Sequence, residues 1–527
     1  MRSPESPSHA FDRVTVASAH LLRGRFEVSR DLPSTSPGLR LTGFIAFAVR
    51  IGSLLTGLAF SIIVARRLSE EDFGAWAYVG RLVSYFAATA SFINFWAARD
   101  AGRGEKPLKT ALFGSALMVT VSMIVYFGIV GFSAGAIGRE SWVVLLGIMQ
   151  LPVLHLVNTV EGVSSGYKPV VAAYGFAVFE VTKVLLAFTT VYILGLGLVG
   201  VFVSLTLAQL IQLSLIIYLQ RELLEKVNLQ DLIRWLKGFP IPLIGYVNGL
   251  VSGLDIFLGG ALYGSALPLA YWQAALTVAL VINFYVNLTV GLYPVLLSGG
   301  GAREVEKIFD FAMMFGIPML FGTIFLGEDI LRLLRPVYAE AVQTLYILAL
   351  SYWIGCLTSI FGSIVSGKED VDRRVDVTFR DYLRSWIFRY NIIGHLLGVA
   401  YVAAFSIVTY AARATGLKPA DMSLVWSYVS LGFSTASLVI SYFFSRRKLV
   451  FRIPWKSIIR YLLATALMLG SMYPLYLYIP MSNTAVVQIA RVASMLATGI
   501  ATYFGSVIIL DKERRETLKI LITRFAG

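Results

Sequence analysis

The chain has 527 residues, 57% hydrophobic and 14% charged, with a mean hydropathy of +0.73, and a soluble protein of that composition would expose apolar surface on a scale that aggregates. Its net charge of +14 is read as cytosolic loops resting on anionic lipid headgroups, with no nucleic-acid partner. One cysteine (Cys356) excludes a disulfide framework and a Cys-based metal site, and four scattered histidines argue against zinc.

Residues 1–40, with the stretches SPESPS and DLPSTSPG, read as a disordered cytosolic tail without the apolar core of a cleaved signal peptide. Fourteen apolar stretches follow, each near the roughly 20 residues that cross about 30 Å of hydrocarbon. Numbered in order, spans 1 to 7 are 41–65, 74–98, 108–131, 141–165, 169–195, 198–220 and 238–262. Spans 8 to 14 are 267–297, 308–327, 340–366, 390–412, 421–445, 456–480 and 485–510, with span 8 expected to tilt or kink. Between spans 6 and 7, residues 221–237 place apolar side chains at helical spacing among charges, which predicts an amphipathic helix on the inner surface. The loop 367–389 has the same character, and 511–527 is read as a basic cytosolic C-terminal helix.

Lys and Arg set the orientation. With a cytosolic N-terminus, the inner segments hold 34 of the 45 basic residues and the outer loops hold 7. The positive-inside rule therefore predicts a multi-pass protein of the cytoplasmic (plasma) membrane with both ends in the cytosol.

A weak internal repeat is present. FGAWAYVGRL (73–82) lies over LPLAYWQAAL (267–276), and NTVEGVSSGYK (158–168) lies over SIFGSIVSGKE (359–369). Spans 1–6 (41–220) thus repeat as spans 7–12 (238–445), joined by 221–237, with spans 13 and 14 (446–510) added. Six spans is an even number, so the two halves point the same way in the membrane. The predicted fold is an all-α integral membrane protein of two parallel six-helix lobes that rock about a central cleft.

Ionisable residues inside a span are costly and are functional candidates by default. Arg50 lies roughly 14 Å into span 1, and Lys183 roughly 21 Å into span 5, at 1.5 Å per residue. Arg81 lies in the outer half of span 2. The cleft candidates are Arg50, Arg81 and Lys183 with Asn94 and Asn287; Asn283 and Asn287 are spaced to share a helical face. The ion-coupling candidates are Glu161, Glu180 and Asp255. Competing structural readings are an i, i+3 Glu180–Lys183 pair, outward snorkelling of Arg81, a packing role for His155, and an interface-anchor role for Arg491. No nucleotide-binding loop, nucleophile elbow or metal-hydrolase motif occurs, so no enzymatic activity or cofactor is expected, and coupling would be to H+ or Na+.

Residues 61–80, SIIVARRLSEEDFGAWAYVG, resemble the junction of the first two spans in polysaccharide transporters of the multidrug/oligosaccharidyl-lipid/polysaccharide superfamily. That pattern is roughly A-R-x-L-(G/S)-x-x-(D/E)-(F/Y)-G-x-(W/Y/L)-A, matched here by Ala65, Arg66, Leu68, Asp72, Phe73, Gly74 and Ala77. Residues 254–276 and 345–370 resemble further parts of the same family. The resemblance implies a flippase that moves polyprenyl-(di)phosphate-linked oligosaccharide to the outer leaflet for surface polysaccharide or glycoprotein assembly. It implies work as a monomer, with glycan polymerases or glycosyltransferases as neighbours, and it carries over no invariant site residue. Two relatives stay open. An ion-coupled drug/cation antiporter would keep an acidic residue in span 1, where this chain has Arg50 and no Asp or Glu. A peptidoglycan-precursor (lipid II) flippase has a different early span 2 from RLVSYFAATASFINF at 81–95.

Overall fold

The computed structural model describes residues 37–289, 292–369, 379–482 and 484–510, with side chains from residue 52 onward. The predicted tail before Pro37 and the C-terminal helix 511–527 lie outside the described residues, as do residues 370–378 of the loop 367–389. The described chain is all-helical and carries no strand. Helix coincides with every predicted span. Ten helices are each long and apolar enough to cross a membrane, and a bent eleventh qualifies if its two halves count as one.

Local chemistry sets the ends. The first helix begins at Pro37, four residues before the expected start. Span 2 opens with Ser69, whose side chain accepts the Asp72 N–H, and with Glu70, Glu71 and Asp72 in the positive first turn. Spans 5, 7 and 12 start on Pro169, Pro240 and Pro419, where a missing N–H costs nothing. Span 7 stops at Gly264 with φ +82°, a left-handed geometry that favours glycine.

Four spans depart from regular helix; span 5 ends in a π-helical stretch, Phe188–Ile193. Span 2 tightens into a 3-10 turn over Ala88–Ala90. Polar side chains of span 4 sit against that break: Asn158 donates to the Ala87 carbonyl (3.3 Å) and His155 Nε2 pairs with Thr89 (3.1 Å). This is how a membrane interior tolerates freed backbone. Span 7 bends by 45° between Pro240–Val251 and Gly253–Tyr263. Span 8 breaks into Leu267–Ala279, a 3-10 stretch Ile282–Leu288, and Leu292–Leu297. A 3-10 helix repeats every three residues, so the i, i+4 spacing of Asn283 and Asn287 does not put those positions on one face.

The predicted linker helix is shorter than expected. Residues 221–223 form a 3-10 turn, Leu224 bridges to Pro107, and helix runs only over Leu229–Lys237 behind the Asn228 cap. Leu232 and Trp235 are buried in the cluster formed with spans 2 to 6, while Leu229, Ile233 and Leu236 stay exposed. Asp100 explains this docking: it accepts from Trp235 Nε1 (2.8 Å) and pairs with Arg234 (2.5 Å) and Arg103 (3.1 Å).

Spans 13 and 14 attach to span 9 through buried polar contacts. Asp329 pairs with Arg491 Nε (2.8 Å) and accepts from Gln488 (2.8 Å), while Arg491 also donates to the Tyr476 carbonyl (3.0 Å). Arg491 is 2% exposed, so it is a buried tie and not an interface anchor. Nearer the other end, Tyr461 donates to Asp310.

The apolar interior divides unevenly. One cluster joins the spans 1–6 half to the spans 7–12 half at the end carrying the predicted outer loops: Phe73, Tyr78 and Val79 pack with Leu269, Trp272, Leu331, Tyr338 and Trp426. Toward the predicted inner end there are two separate clusters. One lies within spans 2–6 and the linker helix, and the other within spans 8–10 and 13–14. The halves therefore share a core at one end; at the other their buried clusters are separate, and span 7 crosses to pack on span 2 through Phe239 and Tyr246 against Phe92.

Candidate translocation site

The fused end is built largely by residues of the 61–80 motif. Arg66 Nε donates to the Leu333 carbonyl (2.8 Å), and Arg335 returns a bond to the Leu68 carbonyl (2.8 Å). Tyr271 donates to Glu70 (3.4 Å). Ala65 and Phe73 are fully buried beneath these contacts. Gly74 permits the closest approach: a Cβ there would stand 2.0 Å from the Ala266 carbonyl oxygen. Gly74 and Ala266 begin the spans that the repeat predicts to correspond, and these two spans meet face to face.

Inward of that junction, a polar cluster bridges the halves. Arg81 and Tyr85 share one face of span 2 at i, i+4 and meet the bend of span 7. Tyr85 donates its hydroxyl to the Gly253 carbonyl, and Tyr246 donates to the Tyr85 carbonyl (3.3 Å). Asp255, two residues past the bend, accepts from Tyr401 of span 11 (2.9 Å) and from the Ile256 N–H (2.8 Å). Arg81 is close enough to interact electrostatically with Asp255, Tyr85 and Tyr352. Two candidates that lie 174 positions apart in the chain thus meet at one place. The tyrosines around them read in the sequence as ordinary apolar-span aromatics, and only their hydroxyl partners reveal their part.

The remaining candidates sit elsewhere. Glu180 and Lys183 form an ion pair (2.6 Å), Thr56 of span 1 donates to Glu180 (2.5 Å), and the ammonium lies 5.0 Å from the Phe179 ring centre. Both side chains are more than four-fifths buried, at 7% and 12% exposure. Lys183 is therefore committed locally. Glu161 accepts from Gln212 of span 6 (2.8 Å). Asn94 donates to the Asn158 carbonyl (3.0 Å) and packs on Gly162, beside Glu161. The structure brings Asn94 and Glu161 to one wall of the spans 1–6 half and Arg81 and Asp255 to the seam. The side chains of Arg50 and Asn287 lie outside the described residues.

At the predicted inner end of span 2, oxygens of Asp100, Glu105 and Asp231 cluster within 4.8 Å of one another. The Arg234 guanidinium occupies their midst, 2.5 Å from Asp100, 3.0 Å from Asp231 and 3.8 Å from Glu105. Partial burial, and then the neighbouring Asp100 charge, push the Glu105 carboxyl above its usual range. The arrangement ties the linker to span 2 with the side chain's own cation.

Among solved structures, the chain is similar to the lipid II flippase MurJ in an inward closed conformation, with TM-score 0.62 and 14% identity over 89% of this chain and 99% of that one. An inward-facing multidrug transporter of the MATE family, described as belonging to the MOP superfamily, aligns with TM-score 0.48 and 13% identity over 90% and 99% of the two chains. No protein-family model and no curated protein matches the chain. An all-helical chain with helices long and apolar enough to cross a membrane, and a match that takes in nearly all of MurJ, converge on one statement: this multi-pass membrane protein has the fold of the lipid II flippase MurJ.

Proposed function

We propose that the protein is a flippase that moves polyprenyl-(di)phosphate-linked oligosaccharide from the cytosolic to the outer leaflet of the cytoplasmic membrane by alternating access. The observation that carries this reading is the one-sided join. The halves share a core at the predicted outer end, while toward the inner end their buried clusters are separate and span 7 alone of the contacts described crosses to span 2, which fits a carrier sealed outward. The join is the kind that can part. It relies on a few hydrogen bonds and on Arg81 near Asp255, where attraction and desolvation nearly cancel. A polar glycan phosphate cannot cross hydrocarbon unaided, because each buried polar group without a partner costs several kcal/mol. Arg81 would meet the phosphates when the seam opens, and Arg50 is the companion expected from sequence. Asp255 and Glu161 are the carboxylates available for H+ or Na+ coupling; Glu180 is held by Lys183.

A second reading is a lipid II flippase, favoured by the similarity to MurJ. Both substrates are polyprenyl diphosphates, so fold does not choose between them. The test is the sidedness of lipid-linked glycan in a host lacking its own flippase, with lipid-linked oligosaccharide or lipid II as donor. Outward movement of the oligosaccharide, lost in Arg81→Ala at equal expression, supports the proposal. Movement of lipid II alone selects the second reading. Movement of neither, together with lowered drug accumulation, replaces both with a drug antiporter.

A further inference from the structure

Span 11 carries a polar face that its neighbour does not cover. Gly398 meets Val251 of span 7 (3.3 Å to a Cβ), Tyr401 bonds Asp255, and Arg413 donates to the Leu262 carbonyl (3.1 Å). At 100° per residue, Asn391 and His395 fall on the same side of the helix as Gly398 and Arg413. A straight span 7 would cover them. The 45° bend instead carries the inner half of span 7 onto span 2, where Phe239 and Tyr246 both pack on Phe92. Asn391 and His395 are left exposed and make no hydrogen bond among the described residues. The lipid-facing stripe of the same helix is different: Leu396 is 64% exposed and Val399 57%.

The uncovered face lines a cavity of about 190 Å³ shared with Ser437 and Ser441 of span 12, room for about six waters at about 30 Å³ each. Ser441 is already paired with Tyr390 (2.9 Å), which braces the two helices. Toward the start of span 11, outside the cavity lining, Arg389 and Arg447 lie over the Trp386 ring, at 5.3 and 5.5 Å. Lys448 beside them is paired with Glu369 (2.5 Å), whereas neither arginine is in an ion pair among the described residues. His395 is six residues from Arg389, and Ser441 is six from Arg447. Six residues are about 9 Å of rise along each helix and about 240° around it, so the length of the arginine side chains is what would bring a guanidinium to the rim.

Polar side chains exposed within a span face a wet cavity or a polar ligand. Amide, imidazole and hydroxyl groups suit the hydroxyls of a sugar, and guanidinium suits a phosphate. We propose that Asn391, His395, Ser437 and Ser441, with Arg389 and Arg447 at the cytosolic rim, receive the sugar-phosphate headgroup of a lipid entering from the inner leaflet. The sugar leads into the cavity and the phosphate stays at the rim. Naming this lipid as the transported one rests on the flippase reading; the headgroup site does not.

The test uses the full-length protein in phosphatidylcholine nanodiscs. His395→Cys is labelled with a membrane-impermeant maleimide, and Ile392→Cys on the lipid-facing stripe serves as control; native Cys356 is 1% exposed and stays silent. The expected result is rapid labelling at 395 and little at 392. A polyprenyl-phosphate-linked monosaccharide should slow labelling at 395 at least five-fold. Polyprenyl phosphate alone, phosphatidylglycerol, and inorganic phosphate with free sugar should slow it less. Arg389→Gln/Arg447→Gln should remove the protection. The proposal is overturned if position 395 does not label, if no lipid phosphate protects it, or if phosphatidylglycerol protects as well as the sugar-bearing lipid. Outward transport by the wild type is scored separately. Transport without protection removes this site and keeps the flippase reading, while protection without transport does the reverse.

Discussion

A single buried charge shows how strongly context decides a residue's part. Arg491 lies near a helix end and could have reached water, yet it is folded inward against Asp329, Gln488 and the Tyr476 carbonyl. Removing one partner leaves a buried charge without compensation, which costs about 3–5 kcal/mol, whereas replacing both by apolar groups is often neutral. Asp329→Ala should therefore lower the thermal midpoint in detergent sharply, and Asp329→Leu/Arg491→Met should recover most of the loss. Equal midpoints for the two variants would show that the pair holds nothing. Glu105 supplies a pH test. Its carboxyl titrates above the usual range, so the folded protein binds that proton more tightly than the unfolded chain does. The contribution is present at acid pH and lost as pH rises through the raised value. Scans of thermal midpoint from about pH 4 to 8 should show a small decline in the wild type over that window, absent in Glu105→Gln, which also lacks the repulsion from Asp100.

At the scale of elements, the breaks carry more information than the straight helices. The 3-10 turn in span 2 survives because His155, Asn158 and Thr89 surround it with polar partners, which accounts for a histidine that looked isolated in the sequence. Its neighbour Asn158 should be intolerant of Leu, with a loss of about 1–3 kcal/mol for the carbonyl left unsatisfied, read as a fall in thermal midpoint that Asn158→Gln partly avoids. Where spans 2 and 8 cross, Gly74 allows contact with the Ala266 backbone. Gly74→Val must push the helices apart, and overpacking of this kind costs about 1–3 kcal/mol. The expected outcome is a less stable protein in which a cysteine at Leu68 labels faster from the outer side. An unchanged labelling rate would mean that the junction does not depend on this approach. The linker was legible as amphipathic from its spacing, but its docking was not, since Asp100 reaches Arg234 and Trp235 from 134 and 135 positions away in the chain.

For the whole molecule, the fused end and the divided end predict a moving part. If the outer junction must open for transport, a short bis-maleimide bridge between Glu70→Cys and Tyr271→Cys, whose native side chains touch at 3.4 Å, should stop transport, while each single variant remains active. Continued transport by the bridged protein would rule out opening at this junction.

The sequence by itself determined the all-helical membrane class and where helices fall, because hydrocarbon imposes a length and a polarity that can be read locally along the chain. Its motif at 61–80 also fell where the halves join. Tertiary structure alone decided which charges are neighbours. Lys183 had its partner one turn away, and the i, i+3 spacing made that pairing readable. Arg81 and Asp255, Arg491 and Asp329, and Asp100 and Trp235 come from distant segments, and hydropathy says nothing about which face of one helix meets which face of another. A bend in span 7 was readable from its glycines, but not its position: they allowed a break at several points, and packing against Tyr85 and Phe92 goes with where it fell. That placement uncovers His395, so the feature most open to a ligand is the one that no local pattern announced.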